Sequence, residues 1–272
     1  MAHLFQVGVG SGGMAVLDLV ARDPKVMRVT IVDPDLYKPD NVERHLFPMS
    51  MVGQKKVHAA SHWFKERRPD LQVEAFDADL LDPAWQKQLE HSIAAADIGI
   101  CAADNEPAKY QFDAFMRRFA KPWTLGEVLS GGIGGFVHWF VPGGPCYGCV
   151  ASHLQRAVEV EKPKAPDYSN PGAAVAETRI PASRASIGTI AGLHAVVTLG
   201  LVAEASKYNP GFTSMLYTLQ TAPDVFPEAF RTFRFRIPRA ENCLICRPPE
   251  REVASEEIDV ALSEALARLG HE

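Results

Sequence analysis

The first half of the chain alternates short apolar runs with amphipathic segments. Apolar runs at 4–10, 28–35, 71–79, 97–104 and 122–129 are typical of buried strands, whereas 13–22, 53–69, 83–96 and 107–120 carry apolar residues at helical spacing. This alternation predicts a parallel sheet with helices on both faces. Further on, residues 215–220 and 232–237 alternate apolar and polar positions as antiparallel strands do. The pattern therefore predicts a doubly wound, mostly parallel α/β fold with antiparallel C-terminal strands.

Three later segments depart from this alternation. The run from Ser186 to Ala203 approaches the length of a membrane span, but it contains His194 and has no aromatic belt, so a buried helix suited to a subunit contact is the preferred interpretation. Residues 155–184 are rich in proline and charge, which predicts a long loop that is either functional or disordered. The pattern of residues 251–272 predicts an amphipathic helix, packed on its own domain or docked to a partner.

Composition narrows the class of protein. The chain has 272 residues, of which 47% are hydrophobic and 22% charged, with a net charge of -5. These values fit one large globular domain, and the mild acidity argues against DNA binding. The first ten residues show no secretory signal, so we expect a cytoplasmic protein that does not span a membrane.

A glycine-rich turn follows the first predicted strand. Gly8, Gly10 and Gly13 fit the pattern G-x-G-x-x-G, and Asp33 lies near the end of the second strand. This arrangement is typical of a Rossmann-like nucleotide site in which the acid binds a ribose, and alone it would indicate NAD. Gly12 adds a further position at which a ligand can approach the backbone.

The residues after Asp33 favour a polyphosphate instead. Asp35 completes a D-x-D pattern, Asn41 and Arg44 form N-x-x-R, and Lys56 closes G-x-x-K. A hydride-transferring enzyme needs no such cations beside its ribose acid, whereas a triphosphate undergoing phosphoryl chemistry gains from arginine and lysine contacts. The sequence therefore favours ATP, with Lys55 as a weaker alternative to Lys56.

Two polar residues stand at the end of the fourth predicted strand, where open α/β sheets bind ligands. Asp104 and Asn105 occupy this position. A carboxylate close to phosphates is a natural ligand for Mg²⁺. We therefore expect Mg²⁺ beside Asp104.

Four of the five cysteines form two C-x-x-C pairs that are far apart in the chain, namely Cys146 with Cys149 and Cys243 with Cys246. Four thiolates suit a closed structural zinc site, which would connect the segments 146–149 and 243–246. The alternative is a redox C-x-x-C motif, which is expected singly at the start of a helix and not as two pairs beside proline and glycine turns. The fifth cysteine, Cys101, is predicted to be a buried apolar residue.

Taken together, these motifs resemble those of the ThiF/MoeB/ubiquitin-activating-enzyme superfamily of ATP-dependent adenylyltransferases. The resemblance runs from about Phe5 to about Pro248. It rests on the glycine pattern, on 32–35, 41–44, 52–56 and 102–105, and on the two cysteine segments. It implies an adenylation domain over residues 1–250, in which 155–184 is a crossover loop, and a separate C-terminal helix at 251–272.

The resemblance implies a role for each matching position. Arg44 and Lys56 would contact the phosphates during catalysis, and Asp104 would bind Mg²⁺ and support attack at the α-phosphate. Asp33 would hold the ribose. The whole nucleotide-binding set expected is Gly8, Gly10, Gly12, Gly13, Asp33, Asp35, Asn41, Arg44, Lys56, Asp104 and Asn105.

The family reaction activates a C-terminal carboxylate as an acyl-adenylate and releases pyrophosphate. The implied partner is a ubiquitin-like or sulfur-carrier protein ending in Gly-Gly, and the implied assembly is a homodimer. With Cys101 buried and the other thiols assigned to zinc, no cysteine remains to carry an enzyme thioester. Many members supply an arginine from a helix before the first strand. Arg22, Arg179 and Arg184 are candidates for this role here, and the sequence assigns it to none of them.

Three other functions remain open at the level of sequence. A family member could activate the carboxylate of a small molecule or of an RNA base. An NAD-dependent oxidoreductase would leave Arg44 and Lys56 without a role. A non-catalytic adaptor would bind ATP or a ubiquitin-like protein without turnover.

Overall fold

An eight-stranded sheet forms the centre of the protein in a computed structural model that describes residues 1–154 and 182–247. The strands are β1 (Ala2–Val7), β2 (Val26–Val32), β3 (Gln72–Phe76), β4 (Ile98–Cys101), β5 (Trp123–Val128), β6 (Gly134–Phe140), β7 (Ser214–Thr218) and β8 (Thr232–Phe235). Their order is β3-β2-β1-β4-β5-β6-β7-β8, with parallel pairing from β3 to β5 and antiparallel pairing from β5 to β8. The predicted sheet is thereby confirmed.

Six helices accompany the sheet within the described residues, together with short 3-10 turns. They are α1 (Ser11–Val20), α2 (Lys56–Arg67), α3 (Gln86–Ala95), α4 (Glu106–Arg118), α5 (Tyr147–His153) and α6 (Arg184–Glu204). The 3-10 turns cover Pro39–Asn41, Met49–Met51, Pro83–Trp85 and Ser130–Gly132.

The helices cover both faces of the sheet. Successive strand residues point to opposite faces, so neighbouring residues pack against different helices. Leu4 packs in a core with side chains of α1, α2 and α6, whereas its neighbour Phe5 packs in a second core with side chains of α3, α4 and α5. Each face of the parallel strands is thus buried, which explains why these strands appear as nearly continuous apolar runs.

Helix α6 lies where the apolar run predicted it. By length and composition alone it could cross a membrane, but half of its most apolar window is buried in the fold. It packs against α1, β5 and β6, and its buried positions include His194 and Thr198. The buried-helix interpretation therefore accounts for the run.

The predicted strands 4–10, 28–35 and 97–104 end earlier in the structure, at Val7, Val32 and Cys101. At the first of these ends Gly8 has a φ of 87°, a conformation that favours glycine and turns the chain out of the sheet. The three tails therefore become loops above neighbouring strands, and this is what creates the site. Most of the predicted loop at 155–184, with Arg179, and the predicted helix at 251–272 lie outside the described residues.

Candidate functional site

A cavity of about 840 Å³ opens at the carboxyl ends of the parallel strands. Strand β1 pairs with β2 on one side and β4 on the other, so the chain reverses its winding direction here. Such a switch point is where doubly wound sheets bind ligands. Every residue of the predicted nucleotide-binding set lines this cavity, from Gly8 in the first loop to Asn105 at the start of α4.

The glycine-rich loop combines two kinds of glycine. A Cβ at Gly13 would overlap the carbonyl oxygen of Gly8, so close packing of α1 on the loop requires glycine there. A Cβ at Gly10 or Gly12 would meet no atom within 4 Å. Folding alone does not require glycine at these two positions, and the open space beside the backbone fits a ligand that approaches it closely. The first N–H groups of α1 have no intrahelical acceptor and are therefore available to donate to such a ligand.

Asp33 is buried and anchors the loop. Its Oδ2 accepts the backbone N–H of Val9 at 2.6 Å, and its Oδ1 accepts the N–H of Asp35 at 2.9 Å. Burial raises the pKa of Asp33, although the charge of Lys56 and the two amide hydrogen bonds oppose this rise. The carboxylate faces the cavity, but both its oxygens already accept backbone hydrogen bonds.

Lys56 reaches the cavity from the start of α2. Its Nζ lies 2.6 Å from Oδ2 of Asp35, and the lysine side chain is only 11% exposed. The neighbouring Lys55 points elsewhere, since its Nζ contacts the carbonyl oxygen of Pro34 and Oδ1 of Asp77. Of the two lysines, only Lys56 lines the cavity.

Asn41 and Arg44 face the cavity from the segment between β2 and α2. Asn41 Oδ1 accepts the N–H of Lys38 at 3.2 Å, which leaves its amide NH₂ group available as a donor. Within the part of the chain that the structure describes, the guanidinium of Arg44 makes no hydrogen bond or ion pair. An uncommitted arginine in a concave site suits an anionic ligand.

Asp104 and Asn105 lie in the short loop between β4 and α4. Asn105 is the N-cap of α4, where its Oδ1 accepts the N–H of Ala108 at 2.9 Å. Because this cap fixes the start of α4, the backbone holds Asp104 at the cavity wall.

Sequence reasoning missed a buried charged group in the same cavity. The Nζ of Lys109 lies 2.7 Å from Glu106 Oε1 and 2.6 Å from Glu127 Oε1. Burial alone would lower the pKa of Lys109, but the two carboxylates outweigh it and raise that pKa above its usual value. This triad ties α4 to β5. The only sequence signal was the i, i+3 spacing of Glu106 and Lys109 on a helix.

Two buried histidines also went unrecognised as cavity residues. His45 and His194 both line the cavity and are almost completely buried. His194 Nε2 contacts Thr124 Oγ1 at 2.8 Å, and its ring occupies the space that a side chain at position 126 would need. Burial lowers the pKa of His45 to about 4 and that of His194 to about 3, so both are neutral at physiological pH.

The carboxylates outnumber the cations in the lining of the cavity. The acids among the described lining residues are Asp33, Asp35, Asp40, Asp79, Asp104 and Glu127, and the cations are Arg44, Lys56 and Lys109. This excess would repel a bare polyphosphate more strongly than a polyphosphate whose charge is partly neutralised by a divalent cation. Oxygen ligands such as Asp104 suit Mg²⁺.

The four paired cysteines form a single cluster outside the cavity. The Sγ of Cys146 lies 3.5 Å from that of Cys243 and 3.7 Å from that of Cys149, and Cys149 Sγ lies 3.7 Å from Cys246 Sγ. All four sulfurs lie within 4.8 Å of one another. Tetrahedral zinc with Zn–S bonds of about 2.3 Å requires sulfurs about 3.8 Å apart, so this donor set fits zinc.

The position of the first pair refines the sequence argument. Cys146 is the N-cap of α5 and Cys149 lies in its first turn. The first pair thus begins a helix, as a redox motif would, and α5 was not predicted from the sequence. What favours a metal site is the second pair, whose thiols complete the cluster.

Cys101 lies in β4 and is completely buried. Burial raises the pKa of its thiol to about 12. It behaves as the small apolar core residue that the sequence predicted.

Comparison with known proteins identifies relatives of this fold. The chain is 22% identical over 152 residues to ubiquitin-like modifier-activating enzyme 5 of Mus musculus, covering 53% of this chain and 38% of that protein. It is 27% identical over 161 residues to the uncharacterized protein y4oA of Sinorhizobium fredii, covering 54% of this chain and 27% of that one. The chain thus spans less than two fifths of the length of these relatives.

Among solved structures, the fold is similar to that of MccB. The microcin C7 biosynthetic enzyme MccB in complex with N-formylated MccA superposes with a TM-score of 0.67 at 15% identity, covering 90% of this chain and 67% of that one. E. coli MccB with ATP gives a TM-score of 0.64 at 15% identity, covering 90% and 66%. At this identity the likeness establishes the fold.

A sequence model of one protein family matches almost all of the residues between the two ends of the described part of the chain. The matched residues include the glycine-rich loop, the lining residues of the cavity and the first three cysteines of the cluster. The chain belongs to the ThiF family, with residues 2–245 matched.

Proposed function

We propose that this chain is an ATP-dependent adenylyltransferase that activates the C-terminal carboxylate of a ubiquitin-like or sulfur-carrier protein. The observation that carries the proposal is the convergence of the glycine-rich loop with Arg44, Lys56 and Asp104 around one cavity. Membership of the ThiF family supports it. So do the relatives, one of which is named as a modifier-activating enzyme, while another has been solved with ATP.

In the proposed reaction a carboxylate oxygen of the partner attacks the α-phosphorus of ATP. A new P–O bond forms, the bond from the α-phosphorus to the bridging oxygen breaks, and its electron pair leaves with pyrophosphate. No proton needs to move, because the attacking carboxylate is already ionised. The protein's task is therefore to position the two anions and to neutralise the charge that develops.

Several residues of the nucleotide-binding set have a role in this scheme. The N–H groups at the start of α1 and the Asn41 amide donate to phosphate oxygens, while Arg44 and Lys56 offset the negative charge of the phosphates. The remaining lone pairs of Asp33 can accept ribose hydroxyls, although its first commitment is to the loop. Asp104 would hold Mg²⁺, with Asn105 beside it.

The excess of carboxylates makes a divalent cation part of the proposal. Mg²⁺ bound at Asp104 would supply positive charge to the phosphate oxygens. ATP would accordingly bind as its Mg²⁺ complex. NAD carries fewer phosphate charges and gives Arg44 and Lys56 no comparable role, so an oxidoreductase fits this cavity less well.

We also propose that the cysteine cluster holds a structural zinc ion and that no enzyme thioester forms. The cluster joins α5 to the segment after β8 and lies outside the cavity. Because Cys101 is buried, the acyl-adenylate would pass to an acceptor outside this chain. A homodimer formed through the exposed side of α6 completes the proposal, and cytoplasmic location is its expected setting.

The test is ATP–pyrophosphate exchange by the purified protein with a β-grasp carrier ending in Gly-Gly. We expect exchange with the intact carrier and none with the same carrier lacking its last glycine. A thermal-shift series with ATP, ATP plus Mg²⁺ and NAD accompanies it, and ATP plus Mg²⁺ should stabilise the protein most. Exchange driven only by small carboxylic acids would assign the chain to small-molecule activation. Stabilisation by NAD alone would contradict the proposal, and ATP binding without exchange would make the chain an adaptor.

A further inference from the structure

Val9, in the middle of the glycine-rich loop, is held by hydrogen bonds on both sides of its Cα. Its N–H donates to Asp33 Oδ2 at 2.6 Å. Its carbonyl oxygen lies 3.0 Å from Nε2 of His45, a residue 36 positions further along the chain. Each of the two peptide units that flank the Val9 Cα is thus fixed by a buried hydrogen bond, and neither can turn without breaking one.

The tautomer of His45 follows from its second contact. The backbone N–H of Phe47 donates to His45 Nδ1 at 3.2 Å, so Nδ1 must be the unprotonated nitrogen. The ring proton therefore resides on Nε2, from which it is donated to the Val9 carbonyl. The ring has no alternative hydrogen-bonding role while both contacts persist.

The imidazole ring is itself held by aromatic neighbours. Its centroid lies 4.3 Å from that of Phe47 and 5.1 Å from that of Tyr37, and the Tyr37 hydroxyl donates to the Phe47 carbonyl at 2.7 Å. His45 is only 1% exposed. It also directly follows Arg44, the uncommitted guanidinium at the cavity wall. The same ring thus joins the glycine-rich loop to the segment that carries Arg44.

We propose that His45 is a positioning residue that holds the Val9 carbonyl away from the polyphosphate and keeps the loop in register with Arg44. The proposal rests on the ATP site proposed above and adds a residue to it. Carbonyl oxygens that face phosphates would repel them, so a phosphate-binding loop works only while its N–H groups point inward. Gln6 does the same for two other carbonyls, since its Nε2 donates to Gly8 O at 2.9 Å and to Gly13 O at 2.8 Å.

A second buried histidine provides a control for the general loss of stability that replacing a buried histidine causes. His3 is also buried and also makes two hydrogen bonds, to Thr30 Oγ1 at 2.8 Å and to Ala95 O at 3.2 Å. It lies near the opposite end of β1, away from the cavity. Replacing His3 should therefore cost stability without touching the loop.

The experiment compares His45→Phe, His45→Gln and His3→Phe. Calorimetry gives the Kd for ATP plus Mg²⁺, and hydrogen exchange of the protein without nucleotide gives the protection of amides 9–13. We expect His45→Phe to raise the Kd about tenfold or more, in line with losing a buried hydrogen bond at the site, and to speed exchange in the loop. His45→Gln, which retains a donor and an acceptor, should recover most of both losses. His3→Phe should lower the melting temperature but leave both readouts at the wild-type level.

Two results would overturn the inference. One is unchanged loop exchange in His45→Phe, which would show that the ring does not restrain the loop whatever the ligand is. The other is an equal rise in Kd for His3→Phe and His45→Phe, which would reduce the effect to general destabilisation. Failure of the wild-type protein to bind ATP would instead contradict the proposed function, and the hydrogen-exchange comparison would still decide whether His45 restrains the loop.

Discussion

The ammonium group of Lys56 lies 2.6 Å from the carboxylate of Asp35, and the two side chains differ greatly in exposure: 11% for the lysine and 61% for the aspartate. The aspartate thus sits at the rim while the lysine is set into the cavity wall. Because one partner is open to water, this pair adds little to stability. Its effect is to orient the ammonium group, which can exchange Asp35 for a more highly charged phosphate.

The first prediction concerns this lysine. Lys56→Ala should lower ATP–pyrophosphate exchange about 10²- to 10³-fold, the usual effect of removing a preorganised group that offsets transition-state charge. Lys55→Ala is the matched control, because the adjacent lysine points to Pro34 and Asp77 and should leave exchange within about twofold of wild type. Circular dichroism checks that both variants fold. If Lys55→Ala were the inactive variant, the assignment of the phosphate-binding lysine would be wrong.

The second prediction concerns Asp104. Asp104→Asn keeps the size of the side chain but removes the charge that would hold Mg²⁺, so exchange should fall about 10²-fold or more at standard Mg²⁺ concentration. Asp97→Asn is the control at the other end of β4, where Asp97 Oδ2 accepts the N–H of His3 and an amide oxygen can replace it. Exchange measured against Mg²⁺ concentration tests the cause. An Asp104→Asn enzyme with full activity and unaltered Mg²⁺ dependence would place the metal elsewhere.

The sequence predicted the parallel half of this fold because local and long-range signals agreed there. Buried strands such as β1 are nearly continuous apolar runs, and α1 starts at a glycine turn with a recognisable spacing. The lining residues could be predicted for the same reason. The carboxyl ends of parallel strands lie at the same edge of the sheet. Short motifs at successive strand ends are therefore expected to lie close together, and this can be predicted without knowing the side-chain packing.

The sequence did not predict contacts between residues that are far apart in the chain. His45 and Val9 are 36 positions apart, and no periodicity reports the hydrogen bond between them. A lysine on an amphipathic helix is ordinarily exposed, yet Lys109 is buried and paired with Glu127 of β5. Helix α5 spans only two turns, so its apolar pattern is too brief to distinguish from a turn.

The third prediction concerns the cysteine cluster. The purified protein should contain one zinc ion per chain, and chelation should lower its melting temperature by several degrees or more because the metal joins two distant segments. Cys243→Ser should lose the zinc, while Cys101→Ser, which removes a thiol outside the cluster, should retain it. Elemental analysis and thermal unfolding measure both effects. A metal-free protein with unchanged unfolding would show that the four thiols do not form a structural site.

The fourth prediction concerns the thioester. Cys101→Ala should retain ATP–pyrophosphate exchange within about twofold, since the thiol is fully buried and its pKa lies near 12. Incubation of the wild-type protein with carrier and ATP should give no thiol-labile adduct on a non-reducing gel. An adduct that is lost in Cys101→Ala would overturn the proposed absence of a thioester and would require β4 to open during catalysis.

The fifth prediction is a pH dependence of stability that originates in His194. Burial lowers the pKa of His194 in the folded protein to about 3, below the ordinary value of 6.5. Between these two pH values the unfolded chain binds a proton that the folded protein does not. The stabilising contribution is therefore fully present above pH 6.5 and is lost as the pH falls toward 3.

His194→Gln removes this titration while its amide can still donate to Thr124 Oγ1. The free energy of unfolding, measured with urea, should fall more steeply on acidification in the wild type than in the variant, by about 1 kcal/mol per unit between pH 6 and pH 5. Comparing the two proteins cancels the other titrating groups that they share, including His45. Parallel pH profiles would show that His194 keeps an ordinary pKa in the folded protein, and the effect assigned to its burial would be wrong.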